Sequence, residues 1–169
     1  MDYRDYVDFF KSRCGELGFA VMERVQIDDM AFDVVAHKEG FELSKLGNAA
    51  HFYFLGRRQR ISTEEFRRLS GACYRYALDN RRNKLPRGLF NGIFAFPFLC
   101  VESVDAQTAE FARDYRPSHW SSLEFPTLVD LTGDKTHYYR KTPLWGAAYY
   151  RRNRQIVEDL TRPLRGQGR

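Results

Sequence analysis

A chain of 169 residues that is 43 % apolar and 29 % charged can bury roughly 70 % of the surface it exposes when unfolded, so it needs no disulfide or metal to fold. Disordered, collagen-like and disulfide-scaffold classes are excluded. The longest apolar run, Gly92 to Val101, is interrupted by Pro97 and reaches only about half of the ~20 residues of a membrane span, while the formal net charge of +5 points away from basic partners.

The opening MDYRDYVDFF has acids where a secretory signal needs basic residues and lacks the apolar region that would follow them. Cys14, Cys73 and Cys100 are far apart, with no C-x-x-C pair and no histidine at a metal-ligand spacing, which reads as three core thiols in a reduced compartment. A cytoplasmic protein with no membrane partner is the expectation. Basic charge is uneven: Arg57, Arg58, Arg60, Arg67, Arg68, Arg75, Arg81, Arg82, Lys84 and Arg87 face only Glu64, Glu65 and Asp79. A second cluster, from Arg140 to Arg169, faces only Glu158 and Asp159. Such asymmetry implies nucleic acid or another polyanion as partner.

In chain order, Tyr3, Tyr6, Val7, Phe10, Cys14 and Leu17 recur at helical spacing over 2–18, and Gly18 ends the helix. FAVMERVQI and MAFDVVAHKEG then read as two strands joined at Asp28-Asp29. The stretch 41–48 is irregular, and AAHFYFLG is a short aromatic strand. Ser62-Thr63-Glu64-Glu65 opens a helix that should run to about Asn83, since Pro86 cannot continue it. Leu89–Val101 is nearly all apolar, the mark of a strand buried on both faces at the centre of a sheet. Asp105–Tyr115 is a short helix, Leu123–Leu131 a strand containing Pro126, and HYYRK its partner across Thr132-Gly133-Asp134. Thr142-Pro143 starts a last helix through LWGAAYYRRNRQIVEDLTRPL, with 163–169 expected to fray.

No linker or repeat divides this order, so residues 1–169 form a single α/β (α+β) domain, one mixed sheet flanked by helices. The order of helix, three meandering strands, helix and strand resembles the restriction-endonuclease-like fold. That resemblance implies an Asp on the second strand and Glu-x-Lys on the third, two carboxylates holding magnesium or manganese beside a lysine. Asp33 occupies the first position. The third strand offers Ala50, His51, Phe52, Tyr53 and Phe54 instead, and the nearest substitutes, Glu42 and Lys45 in FELSK, lie three apart on opposite sides of a strand. A nuclease would therefore rest on Asp33, Glu42 and Lys45, with Asp33 and Glu42 on the metal; otherwise no cofactor is expected. The blocks GFELSKLG, FPTLVDLTGDK and TPLWGAAYY are similar to those of a family of uncharacterised bacterial proteins, from which no activity follows.

TPLWGAAYYRR joins small residues to Trp145, Tyr149, Tyr150, Arg151 and Arg152. It reads either as a recognition helix, in which rings stack on bases and guanidinia take phosphates, or as close packing of that helix on the sheet. The leading expectation is a non-catalytic binding module with a basic surface formed by Arg81, Arg82, Lys84, Arg87, Trp145, Tyr149, Arg151, Arg152 and Arg154. A homodimer or interaction module built on the same rings is the second, and the metal-dependent nuclease the third.

Overall fold

The computed structural model describes residues 2–42, 47–84, 91–141 and 147–165, with the side chains of 147–149 and 165 left aside. Among these residues the chain runs α1 (Tyr3–Glu16), β1 (Ala20–Ile27), β2 (Met30–Glu42), β3 (Gly47–Arg58), α2 (Thr63–Asn80), β4 (Asn91–Val101), α3 (Ala106–Asp114), β5 (Ser122–Glu124), β6 (Thr127–Asp130), β7 (Lys135–Tyr138), α4 (Ala147–Leu160) and a closing 3-10 turn over Arg162–Arg165. One mixed sheet carries the order β1-β2-β3-β4-β6-β7, with β5 also on β4. The first three strands form an antiparallel meander, β4 is parallel to β3, β5 and β6, and β7 returns antiparallel to β6.

Helices cover both faces. Phe66, Leu69 and Cys73 of α2 and Ala112 of α3 pack on Phe52, Phe54, Ile93 and Leu99. On the other face Tyr6, Phe10 and Cys14 of α1, with Val157 and Leu160 of α4, pack on Tyr53, Leu55, Phe96 and Phe98. Alternate residues of β4 thus serve opposite cores, and the expected doubly buried central strand is found. All three cysteines are buried, and burial pushes the Cys14 thiol up to about 12.

Several expected boundaries shift for local physical reasons. β2 continues through Glu42, because ladder pairing with β3 extends to Glu42 and Gly47, so 41–42 and 47–48 are strand rather than irregular chain. Leu123–Leu131 divides at Phe125-Pro126: proline has no amide hydrogen for the ladder, and Phe125 N–H bonds to Ala95 O across the break. α2 ends at Asn80, three residues early, where Arg81 turns extended. Pro163 ends α4, yet the chain does not fray there, since Leu164 is buried in the second core.

At Asp33 the strand departs from alternation. Phe32 belongs to the α2 side and Val34 to the α1 side, while Asp33 also meets α1, accepting from Tyr3 Oη at 2.6 Å. Opposite this kink Arg24 has φ 53°, and Gly56 on β3 leaves room for Met30 and Phe32, since a Cβ would lie 2.5 Å from Met30 Cε.

Candidate functional site

Of the side chains nominated from the sequence, Glu42, Arg81, Arg82 and Arg152 lie around the end of the sheet where β2 leaves off, β3 begins and β4 begins. On the α1/α4 face, Lys38 and Glu42 of β2 share a side with His51 and Tyr53 of β3, as alternation requires, and Lys38 stands directly opposite His51. His51 Nε2 lies 2.5 Å from Glu42 Oε1, and its ring stacks on Phe94 with centroids 4.7 Å apart. Arg152 of α4 brings Nη1 to 3.6 Å from Glu42 Oε2. Lys38 Nζ donates to Leu17 O at 2.7 Å, bridging the end of α1. Together with Phe19, Gln155, Ile156 and Asp159 these residues line a cleft of about 380 Å³. Asp159 is held from α1 by Arg13 Nε at 2.7 Å, and burial keeps the Tyr53 hydroxyl well above the usual tyrosine range.

On the α2 face of the same strand ends lies a smaller hollow of about 230 Å³, lined by Glu39, Asn48, Arg81, Arg82, Asn83 and Asn91 among others. Glu39 accepts from the backbone N–H of Arg82 at 2.6 Å and of Asn83 at 3.3 Å, which fixes the chain leaving α2 against β2. Lys84 Nζ donates to Asp79 O. Gly40 and Ala49 border this hollow and also the mouth of the opposite cleft, so the two basic groups flank one hairpin end from opposite faces of the sheet. Phe41, 64 % exposed, lies beside Gly40 at the mouth of the cleft.

The metal reading loses its geometry. Asp33 and Glu42 are nine positions apart on one strand, about 30 Å at ~3.3 Å per residue, so no ion bridges them. Asp33 is engaged with Tyr3, whose ring lies under the Arg57 guanidinium, and Glu42 is engaged with His51 and Arg152. Lys45 lies outside the described residues, among which no group of three or more His, Cys, Asp or Glu could hold a metal ion. Arg87 and Trp145 also lie outside them, as does the Tyr149 side chain. Tyr150 turns inward against Tyr139 and Phe125, the packing alternative for that helix. Arg154 donates to the carbonyls of Arg140 and Lys141, a structural role, while Arg151 is exposed.

Much of the first basic cluster is neutralised. Asp28 and Asp29, at the β1–β2 turn, take Arg58, Arg68 and Arg75, and Arg68 and Arg58 hold the Asp29 carboxyl down to about 2. Arg57 bonds Glu102 at 2.6 Å.

Sequence reasoning passed over His51, Lys38 and Phe41. It also passed over a buried cluster in which Glu124 of β5 accepts from Ser70 Oγ of α2 and meets His119 Nε2 at 2.7 Å. The His119 ring lies flat on Tyr74 at 3.8 Å. The carboxylate stands between hydroxyl and imidazole, so the histidine has no contact through which to take the serine proton, and the order differs from that of a nucleophilic triad. A histidine inside the apolar run AAHFYFLG was the available signal for His51. For Glu124 there was none, because its partners lie 5 and 54 residues away.

No family model, curated protein or solved structure matches the chain. No helix among the described residues is long and apolar enough to cross a membrane.

Proposed function

We propose that this chain is a non-catalytic binding protein for a polyanion, nucleic acid foremost, engaged across the end of the β2–β3 hairpin. One observation carries the reading: Lys38 and Arg152 on one face and Arg81 and Arg82 on the other flank the same strand ends, with exposed Phe41 on the rim. Cations that track a phosphate backbone beside a ring on which a base can stack are the parts that single-stranded binders use. The cleft supplies positioning rather than bond making. Among the described residues its lining has no Ser, Thr or Cys to act as nucleophile, and its histidine is tied to a carboxylate.

The test is a salt titration against labelled single- and double-stranded DNA and RNA, with and without manganese, following affinity and product length. Binding should weaken steeply with salt. Replacing Arg82 and Arg152 by Gln should reduce the slope of log K against log salt by about 0.7 to 0.9 for each phosphate that the protein no longer neutralises. Salt-independent binding, or none, removes the reading, and manganese-dependent cleavage replaces it with an enzyme.

A homodimer or interaction module is the second reading, favoured by Trp120, which is 77 % exposed. Sedimentation of a monomer at high concentration would remove it.

A further inference from the structure

At the far edge of the sheet, α3 and β7 border an open hollow away from the hairpin end. Arg113 comes from the last turn of α3, Lys135 and His137 from β7, and Arg140 from the segment that follows; with Thr136 and Asp134 they line about 300 Å³. That volume is at the small end of ligand sites. Lys135 and His137 share a strand face by alternation, while Tyr138 points the other way into the second core. Arg140 is steadied over the Tyr138 ring at 5.3 Å, and its carbonyl accepts from Arg154 Nη1 at 3.1 Å.

His137 is the second, independent observation. It is 3 % exposed, and neither ring nitrogen has a hydrogen-bond partner among the described residues, whereas most buried polar side-chain atoms are bonded. The electrostatics name the partner's sign. Burial, then Arg113, Arg140 and Lys135, hold the imidazole below its ordinary range against the opposing pull of Asp130. The field that disfavours an imidazolium favours an anion and repels a metal ion. Asp130 is occupied by the backbone N–H groups of Thr132 and Gly133, which leaves Asp134 as the carboxylate on the lining. The α3 C-terminus adds at most about half a negative charge.

We propose that the α3–β7 hollow binds a dianionic phosphate group, inorganic or at the end of a phosphomonoester. Arg113, Lys135 and Arg140 supply its counter-charge, and His137 supplies an N–H donor. Three cations carry more positive charge than one carboxylate balances, while a tetrahedral dianion brings two charges and three free oxygens, and planar guanidinia match such oxygens in pairs. This site stands apart from the hairpin end, so it survives if nucleic acid fails to bind there.

The experiment is an NMR titration of the His137 ring signals on the whole chain, using inorganic phosphate, a 5′-phosphorylated dinucleotide and the same dinucleotide with a 5′-hydroxyl. Phosphate and the phosphorylated dinucleotide should give saturable shifts. Arg113→Gln and Arg140→Gln, both at exposed positions and so expected to fold, should each weaken the affinity about tenfold or more. Arg82→Gln, at the hairpin end, should leave it unchanged. Absence of saturation at concentrations matching an affinity of roughly 1 mM overturns the proposal, as do shifts insensitive to both arginine variants. Equal or tighter binding of the 5′-hydroxyl dinucleotide also overturns it, because a diester alone would then suffice.

Discussion

Replacing Glu124 by Ala tests whether the carboxylate between α2 and β5 stabilises the fold. Glu124 is 3 % exposed, accepts from the fully buried Ser70 hydroxyl and meets His119 Nε2 at 2.7 Å. Truncation leaves two polar groups without their partner, at about 1–3 kcal/mol each, and opens a void between α2 and β5. Ser70 can recover part by bonding back to its own helix, so the expected loss is about 3–5 kcal/mol. For a chain of this size each kcal/mol moves Tm by about 2–4 °C, so a fall of roughly 10 °C is expected. Urea unfolding followed by circular dichroism should show a lower midpoint at unchanged slope. Glu124→Gln keeps the volume and an acceptor for Ser70 and should lose less than half as much. A Glu124→Ala protein within about 0.5 kcal/mol of the parent would refute the reasoning and imply that the cluster is retained for something other than stability.

Two further outcomes follow from local contacts. Ser62 Oγ accepts from Glu65 N–H and the Glu65 carboxylate accepts from Ser62 N–H, so Ser62→Ala should cost about 1 kcal/mol in urea unfolding and Ser62→Asp should restore most of it. His137 is held below its ordinary value of 6.5 by burial and by Arg113, Arg140 and Lys135, against Asp130. Its neutral form is therefore favoured on folding, so its contribution is complete above pH 6.5 and is lost as pH falls from there through the lower folded value. In phosphate-free buffer the urea midpoint should drop more steeply across that window in the parent than in His137→Gln, and equal slopes would contradict the assignment.

The elements that the sequence disclosed are those whose signals are local. The Tyr6, Phe10, Cys14 stripe, the Ser62 capping box, the Asp28-Asp29 turn and the largely apolar run of β4 each state a structure within a few residues, and each is found. Misplaced boundaries were decided by partners elsewhere. β2 runs on to Glu42 because β3 offers it a ladder, and Leu164 stays ordered because the second core receives it. The candidate site shows the same division. Glu42 and Arg152 were both named, but for different chemistries, and their meeting with His51 depends on a register and a helix placement that neither segment encodes alone.

Charge shows why a basic stretch overstates a basic surface. Between Arg57 and Arg87 the sequence holds few acids, yet Asp28 and Asp29, some 30 to 47 residues away, reach Arg58, Arg68 and Arg75 because the meander folds the first hairpin turn back over α2. Cations whose charge a carboxylate already balances attract a distant anion weakly. Cations without a carboxylate ion pair among the described residues include Arg81 and Arg82 beyond α2, where Glu39 is held by backbone N–H groups, Arg151 on α4, and Arg113, Lys135 and Arg140 along the β7 edge. If association is steered by charge, substitutions at these positions should slow it, whereas Arg68→Gln, at the acidic turn, should cost stability and leave the association rate nearly unchanged.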